Sequence, residues 1–155
     1  FTVFEAYPVQ MCLFHQLMII KRYLTKNPKL QPSKELKKVT KRLTTTTQTR
    51  FINKFQDWYV KHVDFINEKT INEETGKEEF THRRLVRAFR SLNNNLPYLF
   101  TYKNHPELMI ASTTNSLDGG VISNLKKLMS LHQGITKSLK TKLIDDYLIN
   151  YNKRK

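Results

Sequence analysis

A mainly α-helical fold is what this chain predicts, and three observations carry the prediction. Apolar residues recur at helical spacing through most of the length, beginning with Leu13, Leu17, Ile20 and Leu24 at i, i+4, i+7 and i+11. Glycine and proline, which punctuate turns, number only 4 and 5 among 155 residues. A single short stretch, Val9 to Cys12 behind Pro8, reads as a buried strand. The length suits one domain with a real core. An aromatic content of 11%, with nine Phe and seven Tyr, excludes a disordered basic tail, because such tails lack the bulky groups that offset chain entropy.

The elements follow in order. The first helix begins near Leu13 and stops at Asn27-Pro28, since the residue before a proline is pushed out of the α region. Pro32-Ser33 opens the second, in which Leu36, Val39 and Leu43 face inward while Lys34, Lys37, Lys38, Lys41 and Arg42 lie mostly opposite. The β-branched run Thr44 to Thr47 breaks it. A longer helix, about Thr49 to Lys69, sets Phe51, Phe55, Trp58, Tyr59, His62 and Ile66 on one broad face. Trp58 and Tyr59 read there as core rather than as a platform for stacked bases. Thr70 to Phe80 contains Glu73-Glu74-Thr75-Gly76-Lys77, a turn with little to bury. Thr81 is placed to cap a helix from His82 through Arg90, stopping near Asn93-Asn94-Asn95 before Pro97. Tyr98 to Ser112 reads as irregular. Two helices close the chain, about Ser116 to His132 and Thr136 to Tyr151, parted by Gly134. Leu117, Val121, Leu125 and Leu128 stripe the first, and Leu139, Leu143, Tyr147 and Leu148 the second. No internal repeat and no interdomain linker is visible.

Several classes of function drop out early. Neither GxGxxG nor GxxxxGK[ST] occurs, so no glycine-rich loop cradles a nucleotide phosphate. One cysteine, Cys12, excludes a disulfide framework and a CxxC zinc site, and five scattered His form no cluster with zinc-ligand spacing. A reducing, intracellular setting is the expectation. The mean hydropathy of -0.56 argues against a membrane protein. The longest apolar cluster, Met11 to Ile20, is interrupted by His15 and Gln16 and is too short to cross a bilayer. Phe1-Thr2-Val3-Phe4 lacks the basic flank of a signal peptide. A start at Phe rather than Met, together with a strand that has no obvious neighbour to satisfy its backbone, points to a missing beginning of a larger domain.

The charge points to a partner. Lys and Arg total 27 against 13 Asp and Glu, a formal net charge of +14. The basic residues come in blocks: Lys34 to Arg42, His82 to Arg90, Lys126-Lys127, Lys137 to Lys142 and the tail Lys153-Arg154-Lys155. Any one block could be a solvated helix face. All of them together favour a polyanion, whose phosphates supply affinity by releasing counterions. A membrane surface would call for one strongly amphipathic basic helix, whereas here the charge is spread over several elements. No zinc finger, RRM signature or basic zipper indicates how a base would be read. Nucleic acid is the expected partner.

Two segments carry more than composition. The first is Ala6-Tyr7-Pro8-Val9-Gln10-Met11-Cys12-Leu13-Phe14-His15, a strand ending in Cys-x-x-His and opening a helix. The second is Thr113-Thr114-Asn115-Ser116-Leu117-Asp118-Gly119-Gly120, continuing into Leu125-Lys126 and His132-Gln133-Gly134. In this order, about a hundred residues apart, they resemble the C-terminal half of the bacterial Mutator-like insertion-sequence transposases of the DDE class. That family shows a P-x-Q-x-C-x-x-H segment after its second catalytic Asp. It also shows a T-T-N-x-x-E segment bearing the third carboxylate, then a basic helix and an H-x-G turn. The resemblance covers nearly the whole chain.

It implies the C-terminal part of an RNase H-like α/β fold with an all-helical insertion. Residues 1–30 would be the last strand and the following helix, 31–106 the insertion, and 107–155 the catalytic helix and a closing helix. The implied activity is metal-dependent cleavage and strand transfer of DNA, at transposon ends and target. Three carboxylates would hold two Mg2+ or Mn2+ ions roughly 4 Å apart. Only Asp118 stands at a matching position, as catalytic residue and metal ligand, so the chain alone is expected to be inactive. The full-length protein is expected to be a homo-oligomer. Cys12, His15 and Asn115 would be signature residues near the active site, and Lys126, Lys127 and His132 DNA contacts. Two departures stand out: Asp118 replaces the usual Glu and is one methylene shorter, and Gln133 stands where the family often has Arg.

Other readings of the same residues remain. With Asn115 as N-cap, Asp118 falls at N3, where an acid meets the helix dipole and can complete a capping box. On helical spacing it shares a side with Ile122, Leu125 and Met129, bordering the apolar face. Cys12 and His15 could be a buried thiol and a helix-start histidine, or half of a zinc site with no partner pair in sight. A non-catalytic basic helical DNA-binding protein is the alternative function. A free-standing nuclease fails on carboxylates, because Asp57, Asp64, Asp145 and Asp146 have no arguable spacing to Asp118.

Overall fold

The computed structural model describes residues 7–115 and 117–153. The Phe1-to-Ala6 entry, Ser116 as the start of a helix, and Arg154-Lys155 lie outside the described residues. The chain divides into two compact units, residues 1–113 and 114–155, and is mainly helical in both. The segments 1–30 and 31–106 both lie in the first.

In the first unit, α1 (Leu13–Leu24) realises the opening stripe, with Leu13, Ile20 and Leu24 buried. Its last carbonyls would be orphaned, and Arg84 meets them, its guanidinium donating to the carbonyls of Arg22 (2.6 Å) and Tyr23 (2.9 Å). Proline in the first turn of α2 (Gln31–Lys41) costs nothing, because that N–H has no helical partner anyway. The threonine run ends α2, as expected, and Thr47 then caps α3 (Gln48–Asn67) by accepting the Arg50 N–H. Trp58 of α3 is buried, and its indole N–H donates to the Pro32 carbonyl at 2.9 Å, pinning α3 to the start of α2.

Thr70 to Phe80, expected as a turn with little to bury, is a small antiparallel hairpin: β1 (Lys69–Ile71) pairs with β2 (Glu78–Phe80). Asn72 explains it. Its side-chain oxygen accepts the Glu74 and Thr75 N–H groups, its carbonyl accepts the Gly76 N–H, and Gly76 takes the left-handed φ of 64° that closes the turn. The stretch 31–106 is therefore not all-helical. The hairpin also removes Thr81 from its expected role as a cap. Its N–H donates to Glu68 and extends the ladder, and His82 precedes α4 (Arg83–Asn95) without a side-chain cap.

Helix α1 packs on α4 and α2, and α2 on α3. Phe51, Phe55 and Phe100 meet at ring separations of 5.6–6.1 Å, and Tyr59 stacks on Phe89 at 4.8 Å. Each fully buried Phe of this kind contributes about 1.5–3 kcal/mol. Gln16 is also fully buried, between α1 and α4, and is satisfied by Ser91 Oγ (3.2 Å) and the Asn95 amide (2.8 Å).

Val9 to Cys12, expected as the last strand of a sheet, joins no sheet among the described residues. Its backbone groups are met by the irregular stretch after α4, which holds a short α5 (Thr101–Asn104). The Met11 N–H donates to Tyr98 (2.8 Å), and the Thr101 hydroxyl donates to the Val9 carbonyl (2.7 Å). The Gln10 side chain imitates a neighbouring strand, accepting the Tyr102 N–H (2.8 Å) and donating to the Leu99 carbonyl (3.3 Å). Side-chain groups thus stand in for much of the ladder.

The second unit is a helical hairpin, α6 (Ser123–Leu131) against α7 (Lys137–Lys153), preceded by a π-helical turn over Leu117–Ile122. Among its described residues Val121 alone is a buried hydrophobic, and Leu117, Leu131, Leu139 and Leu148 are exposed.

Candidate functional site

The residues singled out in the sequence fall into both units. Cys12 immediately precedes α1 and is buried; His15, one turn in, is exposed and meets the ring of Phe14 edge-on at 5.7 Å. At this junction the Leu13 N–H, an orphan donor of the first turn, is accepted by the Ser112 carbonyl at 3.0 Å. Ser112 is the residue before Thr113-Thr114-Asn115. The end of the first segment and the approach to the second, about a hundred residues apart in sequence, are therefore hydrogen-bonded neighbours.

In the second unit Asp118 lies in the π-helical turn, exposed. Its N–H donates to the Thr114 carbonyl (2.7 Å), and the Thr114 hydroxyl donates to its Oδ2 (2.7 Å). The side-chain partner among the described residues is thus Thr114, and Asn115 beside it is exposed. Oδ1 makes no hydrogen bond among the described residues. A π turn carries one residue more than an α turn, which rotates what precedes it by roughly 100° relative to α spacing. Asp118 is exposed, and Ile122, Leu125 and Met129 are half-buried.

Two groups that sequence reasoning missed hold this turn. The Asn124 amide donates to the Gly120 carbonyl (2.8 Å), and the Tyr147 hydroxyl, reaching over from α7, donates to the Val121 carbonyl (3.1 Å). Tyr151 Oη lies 3.9 Å from where a Cβ on Gly120 would stand. The widened turn displaces carbonyls from the usual ladder, and Asn124 and Tyr147 satisfy those of Gly120 and Val121. Asn124 four residues after Gly120 is a local signal; Tyr147 reads in the sequence only as part of an apolar stripe.

Lys126 and Lys127 follow on α6, both exposed and without an acidic partner among the described residues. The helical rise puts them on the order of 10 Å along the axis from Asp118. His132 ends α6, exposed, and Gly134 makes the turn to α7 with φ 86°.

Among the described residues no three of His, Cys, Asp or Glu lie close enough to hold a metal ion. A lone carboxylate with one oxygen engaged by a hydroxyl does not by itself fit a two-metal centre. No helix among the described residues is long and apolar enough to cross a membrane. Outside this region, Glu35 of α2 accepts from Lys61 (2.9 Å) and lies 2.7 Å from His62, and these bonds lower its pKa to about 2, the His62 bond foremost. Compared with protein-family models, curated proteins and solved structures, the chain matches none.

Proposed function

We propose that the chain is the C-terminal part of a DDE-type transposase, with the RNase H-like fold of that class. In this reading it binds transposon-end DNA and supplies through Asp118 the third carboxylate of the catalytic centre. The bond from the Leu13 N–H to the Ser112 carbonyl carries the reading. Within the first unit it sets the end of the first motif against the residue that precedes the second. Support also comes from the exposure of Asp118 on a widened turn, since π turns recur at functional sites. Lys126 and Lys127 would bind the phosphates flanking the cut and His132 would add a further contact, while Cys12 and His15 would be structural or DNA-contacting residues of the signature. Asp118 would act with two further carboxylates that have no counterpart in this sequence, and Mg2+ or Mn2+ belongs to that complete centre.

A second reading, a non-catalytic basic DNA-binding protein, is favoured by the Thr114–Asp118 bond, which gives the carboxylate a structural purpose. The discriminating experiment expresses the entire reading frame around this sequence and measures DNA binding and Mg2+-dependent end cleavage. For a transposase, Asp118→Asn abolishes cleavage and leaves binding intact. Cleavage that survives the substitution, or a frame with no Asp shortly before Phe1, removes Asp118 from catalysis and leaves the second reading. Failure to bind any DNA defeats both.

A further inference from the structure

A concentration of uncompensated charge lies outside the proposed catalytic region, on the first unit. Two grooves flank α2. Lys21, Lys37 and Lys41 rim the one toward α1, over a floor of Leu17, Ile20 and Leu24. Lys38, Lys41, Arg42 and Lys54 line the one toward α3. Lys41 belongs to both, so six cations from three helices form one continuous tract, and no acidic side chain lines either groove.

The acids of this unit that form ion pairs form them elsewhere, Glu107 with His105 among them. Glu35 serves Lys61 and His62, Glu68 serves His82, Glu78 serves Lys69, and Glu79 serves Arg83. Among the described residues none pairs with a member of the tract. An ordinary solvated helix face mixes signs at i, i+4, because like charges there repel. Here Lys34, Lys38 and Arg42, and Lys37 and Lys41, repeat the same sign at that spacing. The lysine stems cover the apolar floor and raise their ammonium groups above it. Lys37 Nζ also donates to the Lys26 carbonyl, which holds the loop between α1 and α2 against the tract.

We infer that this tract is a second nucleic-acid surface, a seat for the phosphate backbone of a DNA duplex, separate from Asp118, Lys126 and Lys127. It rests on the nucleic-acid reading above for the identity of the polyanion. A duplex backbone matches a row of cations with a groove on each side. A membrane surface would instead want exposed apolar side chains along α2, and Val39, the apolar member of the second groove, is half-buried.

The test measures binding of the whole chain to a mixed-sequence duplex by fluorescence anisotropy across a salt titration. The variants are Lys38→Gln/Lys41→Gln/Arg42→Gln together, Lys54→Gln alone, and Lys126→Gln/Lys127→Gln. The triple variant is expected to bind at least about tenfold more weakly at low salt, with the slope of log K against log salt reduced by roughly 0.9 for each phosphate no longer neutralised. Lys54→Gln, a single exposed change, gives a smaller shift in the same direction with an unchanged melting temperature. Wild-type affinity and slope in both α2–α3 variants, with binding lost in Lys126→Gln/Lys127→Gln, overturn the inference and leave the function standing. So does a triple variant that loses only binding to phosphatidylserine vesicles. A wild-type chain that binds no duplex overturns both.

Discussion

Glu35 shows how much a single side chain does here. It receives Gln31 (2.8 Å), Lys61 (2.9 Å) and His62 (2.7 Å), tying α2 to α3 beside the buried Trp58. Three hydrogen bonds to the ionised form favour it, so the folded pKa falls from an ordinary 4.5 to about 2. A depressed carboxylate pKa means that the unfolded chain binds the proton more readily than the folded one. Its stabilisation is fully present above pH 4.5 and is lost as pH falls toward about 2. Chemical denaturation between those limits should show stability falling with acid. Glu35→Gln should lower stability at neutral pH and remove part of that acid dependence. An identical pH profile in the variant would mean the network contributes nothing.

Among the elements, the π turn before α6 is the most specialised. A segment of six residues, Leu117–Ile122, keeps its wide geometry because Asn124 and Tyr147 take up the Gly120 and Val121 carbonyls. Tyr147→Phe keeps the ring and removes only the hydroxyl. It should destabilise the second unit by about 0.5–1.5 kcal/mol, the usual net value of one hydrogen bond. The amide of Asp118 should also shift in NMR spectra, although residue 118 is 29 positions away in sequence. A spectrum unchanged around Leu117–Ile122 would show that the turn holds itself. The hairpin of β1 and β2 makes a related point: only three residues per strand pair, and the Asn72 side chain organises the turn between them.

At the scale of the molecule the two units differ in how they are held. The first buries a contiguous cluster running from Leu13 to Phe100. Within the second, Val121 is the sole buried hydrophobic among the described residues, so little apolar area holds α6 against α7. Hydrogen exchange should therefore protect the amides of α1, α3 and α4 strongly and those of α6 and α7 far less. Equal protection in the two units would require the second to be stabilised by something other than its own core. A lightly held helical pair carrying Asp118, Lys126 and Lys127 is suited to ordering on a bound polyanion, in keeping with the proposed function.

The helices are legible in the sequence because periodicity is local. Leu13–Leu24 follows from its stripe and from Asn27-Pro28, and the threonine run ends one helix where it caps the next. The charge, the absence of glycine loops and the isolated cysteine are equally plain, since they are properties of composition. The pairing of Val9–Cys12 is not, because an extended segment can satisfy its backbone through a ladder or through side chains, and only the position of Tyr98–Tyr102 decides between them. The site divides the same way. Cys12, His15, Asp118 and the lysines are marked only by the resemblance of two short motifs. The bond between Leu13 and Ser112, the hold of Tyr147 on the π turn and the meeting of Lys21, Lys41 and Lys54 in one tract join residues far apart in sequence. No periodicity encodes such neighbours; they exist only once helices pack and bring distant side chains within a few ångströms.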